Sequence, residues 1–378
     1  MKLEPFELER IQSEWEHIVD IVLTESGVEP LSIAELVPDQ RERETIFNMK
    51  LGYSQTNGTI PLRETIASMY KGADAENILV TNGGAEANFI SMWNFVNESD
   101  NGHEIILMQP NYMQIHGVVR TLGGSIIPWN LKMEGGGWNL DVEMLKEAIS
   151  SETIAIAICN PNNPTGTTFD SEQLKPVVDI AEDADVWILS DEIYQGAEMD
   201  GELTPTIFDQ YDKVVVTNSL SKTYGLPGLR LGWIATTDKK HAEELWAYSD
   251  YITICPTKIS DALATVALQP NKREWLRDRA TEIVRQNWGM LKNWLDERRG
   301  VFDYVPPQAS SMCFPKHNLP LSSLELVERL RKEKGLLLVP GEHFGFDKHL
   351  RIGFGGEKEH LKEGLGLLDE MIQELCKS

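Results

Sequence analysis

Residues 214–235, VVVTNSLSKTYGLPGLRLGWIA, place a single lysine, Lys222, between hydroxyl residues shortly after a run of three valines. Valine is favoured on buried strands, and the glycine and proline after the lysine interrupt regular structure. The pattern predicts a loop at the end of a strand, which is the edge of an α/β sheet where ligands bind. A lysine there is chemically useful when its amine is partly neutral, a form that burial and a neighbouring cation such as Arg230 favour by lowering the pKa. A lysine beside a tight turn is more often simply solvated, so the neighbouring motifs decide.

The composition indicates which partners to expect. The 378 residues include 59 acidic and 35 basic side chains, and the net charge is -24. Because nucleic acids and anionic membranes require concentrated Lys and Arg, we expect neither as a partner. The four cysteines lack metal-ligand spacing, so no metal is predicted. The acidic first segment does not resemble a secretory signal, and no apolar stretch reaches the roughly 18 residues that cross a bilayer, so the sequence predicts a cytoplasmic protein.

Apolar runs that end in polar loops recur along most of the chain. Besides the valine run they are NILVTNGGAEAN (77–88), EIILMQPNYMQ (104–114), IAIAICNPNNPTG (154–166) and VWILSDEIY (186–194). Helix-like stretches such as SEQLKPVVDIAEDA (171–184) lie between several of them, which predicts a mostly parallel sheet with helices on both faces. Longer amphipathic helices follow towards the C-terminus. We therefore expect a large domain over 45–265 and a smaller domain formed by 1–44 and 266–378.

Polar residues follow these runs and, if the sheet is parallel, share one edge of it. Asp191 ends a strongly apolar strand, where a carboxylate is costly unless it meets a cation or a donor such as a pyridinium N–H. Asn163 precedes a turn set by Pro164 and Gly166 and presents an amide donor suited to a phenolate oxygen, and Tyr194 offers a hydroxyl for the same oxygen. Each feature has an ordinary alternative, since strand-end aspartates often cap turns and NNPTG also forms a simple β-turn.

A glycine turn in TNGGAEAN opens a helix, so its amides are suited to hold a phosphate at the positive end of the helix dipole. It is not a nucleotide P-loop, because it lacks the Gly-Lys-Ser/Thr ending. The amides are those of Gly84, Ala85 and Glu86, and the side chains expected to complete the phosphate cup are Ser219, Ser221 and Arg230. Tyr112, in QPNYMQ, is able to lie flat against a heteroaromatic ring, although a lone tyrosine more often packs in a core.

The motifs TNGGAEAN, NPNNPTG, SDEIY and SLSKTYGLPGLRLG, closing with LRIGFG (350–355), resemble the pyridoxal-phosphate (PLP) enzymes of fold type I, specifically the class I/II aminotransferases. The resemblance runs from about residue 25 to the C-terminal helix. It implies an α/β fold in which a mostly parallel seven-stranded sheet is sandwiched by helices, plus a smaller α+β domain. It also implies pyridoxal 5'-phosphate as the cofactor, bound by the large domain.

The resemblance implies a role for each matched residue. Lys222 forms the internal aldimine with the cofactor and moves the substrate proton, and Asp191 pairs with the protonated ring nitrogen. Asn163 and Tyr194 bond the 3-oxygen of the ring, and the cup residues named above hold the phosphate. Arg351, in LRIGFG, holds the substrate α-carboxylate as a two-pronged donor, with Asn163 beside the substrate.

The resemblance extends to stacking, subunit contacts and the substrate pocket. Tyr112 occupies the ring-stacking position. Tyr53, in YSQTNGTIPLRETIA, resembles the tyrosine that reaches the phosphate of the neighbouring subunit's cofactor, which implies a homodimer with shared active sites. The segment PQASSMCFP resembles part of the substrate pocket and contains Ser310, Ser311 and Cys313.

The motifs predict chemistry on an amino acid but leave the reaction open, since transamination, racemisation, decarboxylation and elimination share their first step. We expect transamination between an L-amino acid and a 2-oxo acid, and Arg351 counts against decarboxylation because it favours keeping the carboxylate. The alternative is elimination and cyclisation on an arginine-like amino acid, since TESGVEPLSI (24–33) and DYITICPTKIS (250–260) resemble capreomycidine-synthase-like enzymes. In that case Gly27 and Glu29 approach the substrate side chain and Glu29 pairs with its cation; otherwise Glu29 caps a surface turn.

Two further classes of protein fit less well. Similar folds occur as regulatory domains fused to DNA-binding modules, but this chain shows no basic N-terminal module and retains Lys222 and Asp191, so we expect an enzyme. A nicotinamide-dependent oxidoreductase requires a G-x-G-x-x-G turn, and neither TNGGAEAN nor GLPGLRLG fits that pattern.

Overall fold

The structure, a computed structural model, describes residues 4–98 and 102–376. The ends of the predicted small domain, 1–3 and 377–378, and residues 99–101 of the predicted large domain lie outside the described residues. The α-helices are α1 (Glu7–Trp15), α2 (Ile33–Leu36), α3 (Gln40–Phe47), α4 (Ile60–Ala67), α5 (Gly84–Glu98), α6 (Gln114–Leu122), α7 (Val142–Ala148), α8 (Ser171–Ala184), α9 (Lys239–Ser249), α10 (Lys258–Ala267), α11 (Pro270–Asp296), α12 (Ser323–Lys334) and α13 (Lys358–Leu375).

Sixteen strands are found in the described residues. They are β1 (Ile21–Val22), β2 (Ile78–Thr81), β3 (Glu104–Gln109), β4 (Ser125–Asn130), β5 (Lys132–Glu134), β6 (Gly137–Asn139), β7 (Thr153–Cys159), β8 (Trp187–Asp191), β9 (Val214–Ser219), β10 (Gly232–Thr236), β11 (Phe302–Asp303), β12 (Met312–Cys313), β13 (Lys316–His317), β14 (Leu336–Leu337), β15 (Val339–Pro340) and β16 (Leu350–Gly353).

The central sheet confirms the predicted architecture. Seven of the described strands form it in the order β2-β10-β9-β8-β7-β3-β4. Neighbours pair in parallel except at β10, which runs antiparallel to both β2 and β9. The carboxyl ends of β2, β9, β8, β7 and β3 therefore meet at one edge of the sheet, where the polar motifs begin.

The antiparallel strand brings one more residue to that edge. Gly232, the first residue of β10, lies opposite Ser219 in β9 and opposite Thr81 in β2, which are the last residues of their strands. Because β10 begins where its neighbours end, Arg230, two residues earlier, lies at the ligand-binding edge.

The valine run explains why the sheet is buried on both sides. Val214 and Val216 belong to the apolar cluster on one face, and Val215 belongs to the cluster on the other face. All three side chains have no solvent exposure. Side chains alternate along a strand, so a continuous apolar run requires covered faces on both sides, and each buried valine stabilises the fold by about 1.5–3 kcal/mol.

Local capping residues set where helices begin. Asp170 precedes α8, and its carboxylate accepts a 2.9 Å hydrogen bond from the amide of Gln173. Ser322 precedes α12 in the same way, with its hydroxyl accepting from the amide of Glu325 at 3.2 Å. Both are capping boxes, which satisfy amides that the helix itself leaves unpaired.

A second apolar cluster lies apart from the sheet. Leu291 and Leu295 of α11 pack there with Ile21 and Leu23, whereas Leu8 and Leu36 pack with the cluster of the sheet. The N-terminal segment thus contributes to both clusters, and the division of the domains at residues 44 and 265 stays a prediction. Among the helices described, none has the length and apolar character needed to span a membrane.

Candidate active site

The strand ends surround a cavity of about 480 Å³. It lies at the edge where the carboxyl ends of β8 and β9 meet, and Lys222 follows the end of β9 by three residues. The predicted site residues that line it are Gly84, Ala85, Tyr112, Asn163, Asp191, Tyr194, Ser221, Lys222, Arg230 and Arg351. Residues predicted from separate motifs are therefore brought together in one space of ordinary ligand-site size.

The environment of Lys222 favours a neutral amine. Burial is the main cause that lowers the pKa of Lys222, and Arg351 and Arg230 lower it further, while Glu25 and Glu9 act in the opposite direction. The sequence predicted Arg230 as the cation beside Lys222. In the structure Arg351 lowers the pKa of Lys222 more than Arg230 does. A lysine with a lowered pKa is a better nucleophile and base near neutral pH.

Asp191 is a buried carboxylate held by donors. Its Oδ2 accepts a 3.1 Å hydrogen bond from the side-chain amide of Asn88, and its Oδ1 accepts from the backbone amide of Ile193 at 3.2 Å. Thr217 donates to Asn88 at 2.8 Å and fixes the amide. Burial raises the pKa of Asp191 to about 6, although Asn88, Ile193 and Lys222 act to lower it, and among the described residues no cation is a direct ion-pair partner of its carboxylate. A protonated ring nitrogen would supply that partner.

Asn163 and Tyr194 form one hydrogen-bonded chain. The Asn163 side-chain amide donates to the Tyr194 hydroxyl at 3.0 Å, and that hydroxyl donates to Ser26 Oγ at 3.0 Å. All three side chains are buried. Burial raises the pKa of Tyr194, so the phenol stays protonated and available as a donor. The two side chains predicted to bond the 3-oxygen of the cofactor ring are therefore adjacent and in direct contact.

Arg351 is fixed by acceptors from several segments. Its Nη2 donates to the carbonyl of Thr24 at 2.7 Å and lies 3.4 Å from Gln12 Oε1, and its guanidinium lies over the ring of Phe344 with the centroid at 5.4 Å. The side chain is only 2% exposed. Its Nε–H is buried without an acceptor among the residues that the structure describes. An arginine held in this way is prepared to bind a carboxylate.

The predicted phosphate cup is assembled around Arg230. This residue has a left-handed backbone with φ of 46°, and its Nη1 lies 3.1 Å from the Pro227 carbonyl and 3.5 Å from Ser221 Oγ. A Cβ at Gly83 would lie 2.8 Å from Arg230 Nη2, so the guanidinium touches the glycine turn. The amide of Ser221 donates to Ser219 Oγ at 3.1 Å. Within the described chain no carboxylate forms an ion pair with Arg230, which leaves its charge for an anion.

Helix α1 forms part of the cavity wall, which the sequence did not predict. The Tyr112 hydroxyl donates to Glu9 Oε1 at 2.5 Å, and Phe6 meets the Tyr112 ring edge-on at 5.0 Å. Leu8, Gln12 and Glu16 also line the cavity. The helical spacing of this segment was recognisable, but periodicity alone does not say which element a helix covers.

Several predicted residues lie outside this cavity. Tyr53 is 86% exposed, and the carboxylate of Glu86 accepts a 2.5 Å hydrogen bond from the hydroxyl of Thr253, 167 positions along the chain, so only the backbone amide of Glu86 remains a candidate phosphate ligand. Glu29 lines a neighbouring cavity of about 390 Å³, and Glu25 borders both cavities. The pairing of Glu29 with a substrate therefore stays a prediction that its position does not favour.

Gly27 and the segment from the small domain lie close to the lysine loop. A Cβ at Gly27 would lie 3.1 Å from the carbonyl oxygen of Ser221, so a glycine allows close approach. Ser311 donates to the Gly27 carbonyl at 2.9 Å. Ser310 and Cys313 are buried, and burial raises the pKa of Cys313. Ser310, Ser311 and Cys313 do not line the cavity, so their role in the substrate pocket stays a prediction.

The fold and the cavity define a PLP-dependent enzyme of fold type I. The model of the family "Aminotransferase class I and II" matches residues 25–368, so the chain belongs to that family. A crystal structure of a PLP-dependent aminotransferase from Streptococcus suis 89-1591 superimposes with a TM-score of 0.91 at 31% identity, and the match covers 99% of both chains.

The relatives of known activity include more than one kind of enzyme. The capreomycidine synthase of Streptomyces vinaceus is 28% identical over 311 residues, which is 82% of this chain and 78% of that protein. The probable aspartate aminotransferase of Methanocaldococcus jannaschii is 28% identical over 337 residues, which is 86% of each chain. The family resemblance predicted from the motifs is confirmed, and so is the similarity to capreomycidine synthase.

The residues of the cavity fit PLP. An amine of lowered pKa suits its aldehyde, and a buried carboxylate that has no direct ion-pair partner among the described residues suits its ring nitrogen. The Asn163 and Tyr194 pair suits its 3-oxygen, and the Arg230 guanidinium beside the glycine turn suits its phosphate. Each polar part of the cofactor thus has a matching group in one cavity.

Proposed function

We propose that the protein is an aminotransferase that moves an amino group between an L-amino acid and a 2-oxo acid, with Lys222 as the residue that binds the cofactor covalently and carries the proton. The observation that carries the proposal is the location of Lys222, Asp191 and Arg351 on the wall of one cavity. Family membership and the similarity to the probable aspartate aminotransferase of Methanocaldococcus jannaschii support it.

The bound cofactor supplies a ring that takes up the electron pair left when a substrate Cα–H bond breaks. Asp191 holds a positive charge at the ring nitrogen, because a buried carboxylate is stabilised by a cation. Lys222 would accept the Cα proton when its amine is neutral, acting as general base, and the ammonium so formed would act as general acid when the proton is given back. Asn163 and Tyr194 hold the ring in place by donating to its 3-oxygen.

Arg351 orients the substrate. Its planar guanidinium binds the α-carboxylate through two parallel N–H groups, which fixes the direction of the Cα–H bond relative to Lys222. A substrate that kept its carboxylate would keep this contact throughout the reaction. The proposal therefore favours amino transfer over loss of carbon dioxide.

We also propose that the enzyme works as a homodimer in which Tyr53 reaches the phosphate site of the other subunit. Tyr53 is 86% exposed and lies outside its own cavity, and nearby Phe47 and Leu51 are 89% and 77% exposed. Large apolar side chains clustered on a surface are typical of an interface. A cytoplasmic location is part of the same proposal, and the four cysteines, all in the described residues, are free thiols.

The proposal is tested by giving the PLP-loaded protein single L-amino acids without any 2-oxo acid. Release of the matching 2-oxo acid, one equivalent per subunit, with the nitrogen retained on the protein until a 2-oxo acid is added, is the expected result. Failure of a protein that holds PLP to release any 2-oxo acid, or release of the nitrogen as free ammonia, would rule out amino transfer.

The match to capreomycidine synthase favours a second candidate, elimination followed by ring closure on an arginine-like amino acid. The same experiment separates the two functions. A cyclised product formed catalytically, without retention of nitrogen on the protein, would establish the second candidate in place of the first.

A further inference from the structure

The cavity that contains Lys222 and Arg351 also has three carboxylates on its wall. Glu9 lies on α1, Glu16 directly follows that helix, and Glu25 lies in the segment after β1. Glu9 and Glu16 are seven residues apart, a spacing that puts both on one face of a helix. The sequence did not predict any of the three as a site residue.

Glu9 and Glu25 both act on Glu16. Burial raises the pKa of Glu16, and Glu25 and Glu9 raise it further, while His17 and Lys222 lower it. Like charges held together in a ligand cavity disfavour one another until a cation joins them.

Their present partners leave part of this charge unpaired. Glu9 Oε1 accepts from the Tyr112 hydroxyl at 2.5 Å, and Glu16 Oε1 lies 3.3 Å from His17 Nε2, whose side chain is 85% exposed. The Glu25 carboxylate makes no hydrogen bond or ion pair in the described parts of the chain, 4–98 and 102–376. Glu25 acts on the charge of Lys222 but has no direct partner among the described residues, so it is available to a ligand. The exposed imidazole of His17 is the one side-chain partner that the described residues give the Glu16 carboxylate.

Arg351 is an independent indication of what the ligand carries. Its buried side chain lines the same cavity, and its Nε–H has no acceptor among the described residues. A buried donor without an acceptor is costly, so this group is suited to a carboxylate that arrives with the ligand. One cavity thus offers a cationic group for a carboxylate and an anionic group of three residues for a second, positive charge.

We propose that the amino-acid substrate of this enzyme carries a guanidinium or ammonium group on its side chain, which Glu16 and Glu25 bind with Glu9 adjacent. This inference rests on the proposed function, because it concerns the amino acid that binds at Arg351. Arginine, lysine and ornithine belong to this class.

The test compares substrates that differ only in side-chain charge. L-arginine and L-citrulline are close isosteres, as are L-lysine and L-norleucine, so each pair isolates the cation. With the PLP-loaded wild-type enzyme we expect kcat/KM to be at least about tenfold higher for the charged member of each pair. Equal or better use of citrulline and norleucine would overturn the inference.

Substitution of Glu16 and Glu25 tests whether these carboxylates cause the preference for a charged side chain. In Glu16→Gln and Glu25→Gln we expect the affinity for arginine to fall about tenfold, with citrulline nearly unchanged. Glu14→Gln, on the exposed face of the same helix, removes the same charge outside the cavity and should leave both substrates unaffected. An equal loss for both substrates in the cavity variants would mean that the carboxylates serve the α-ammonium group of every amino acid, and it would overturn the inference.

Binding and turnover together separate this inference from the proposed function. Calorimetric titration of the PLP-loaded enzyme reports the preference for arginine over citrulline without any reaction. Tight arginine binding without release of a 2-oxo acid would leave the cation site standing and reject amino transfer. Transfer from citrulline or aspartate in preference to arginine would leave amino transfer standing and reject the cation site.

Discussion

The guanidinium of Arg351 donates a 3.0 Å hydrogen bond to the side-chain carbonyl of Asn163. Because the Asn163 oxygen accepts from Arg351, its NH₂ group faces Tyr194 and is the part that would donate to a ring oxygen of the cofactor. The proposed carboxylate-binding group and the proposed cofactor-binding group therefore belong to one network. We therefore expect that binding of a substrate carboxylate at Arg351 changes the hydrogen bonds of Asn163.

Arg351→Lys should separate geometry from charge at this position. A lysine keeps the positive charge but loses the planar fork, so we expect kcat/KM to fall about a hundredfold for all amino-acid donors alike. Steady-state kinetics with several donors measures this effect. Arg329→Lys changes an exposed i,i+4 ion pair with Glu333 in the same manner and should leave kcat/KM unchanged. Retention of normal kinetics in Arg351→Lys would remove Arg351 from the carboxylate site.

Asp191 should make the cofactor-free protein less stable as the pH rises. Its pKa is about 6 in the folded protein and about 4 in the unfolded chain, so between these values the folded state binds more protons. Stability is therefore lost as the pH increases through this window, by about 3 kcal/mol in total. Urea denaturation of the wild type and Asp191→Asn between pH 4 and 7 measures the difference.

The amide variant lacks the titrating group, so its stability should not show this loss. The buried neighbour Glu192, whose pKa is raised to about 7 mainly by burial and in part by the charge of Asp191, is present in both proteins. Its own loss of stability with rising pH therefore appears in both curves and is smaller in Asp191→Asn. Saturation with PLP should abolish the difference in slope, because the ring cation lowers the pKa of Asp191. Parallel stability curves without the cofactor would show that Asp191 is ionised throughout.

Lys222→Ala should abolish the covalent attachment of PLP and turnover while leaving the fold intact. Reduction with borohydride followed by peptide mass analysis should find the cofactor on the peptide that contains Lys222 in the wild type and on no peptide in the variant. Loss of the general base should lower the rate at least about a hundredfold. The control is Lys213→Ala, where an exposed lysine pairs with Asp185 near the start of the same strand. A modified peptide elsewhere would contradict the assignment.

The sequence predicted the sheet and much of its ligand edge because the signals there are local. Asp191, Asn163 and Lys222 each follow an apolar run within a few residues, and the carboxyl ends of parallel strands meet at one edge. The glycine turn also carried Asn88, four residues after Gly84, but nothing in the spacing said that its amide would bond Asp191. That contact joins residues 103 positions apart.

The parts that the sequence did not predict depend on packing between distant segments. The bond from Tyr112 to Glu9 and the contact of Arg351 with Gln12 place α1 over the cavity, and they span 103 and 339 positions. The antiparallel direction of β10 was equally invisible, because an apolar run reads the same in either direction. Local sequence patterns predicted the residues at the sheet edge. The carboxylates on the cavity wall depend on tertiary packing, which those patterns do not show.

The shared active site is best tested by complementation between two damaged subunits. Tyr53→Ala should weaken PLP binding in the homodimer, and Lys222→Ala should be inactive. If Tyr53 serves the other subunit, a mixed dimer combines Lys222 from one chain with Tyr53 from its partner in one intact site, so activity should return when the two variants are refolded together. Mixing the Lys222→Ala variant with Asp191→Asn, which damages the same set of groups, is the matched control and should restore nothing. Activity that failed to return in the first mixture, with mixed dimers present by mass measurement, would place Tyr53 outside the neighbouring site.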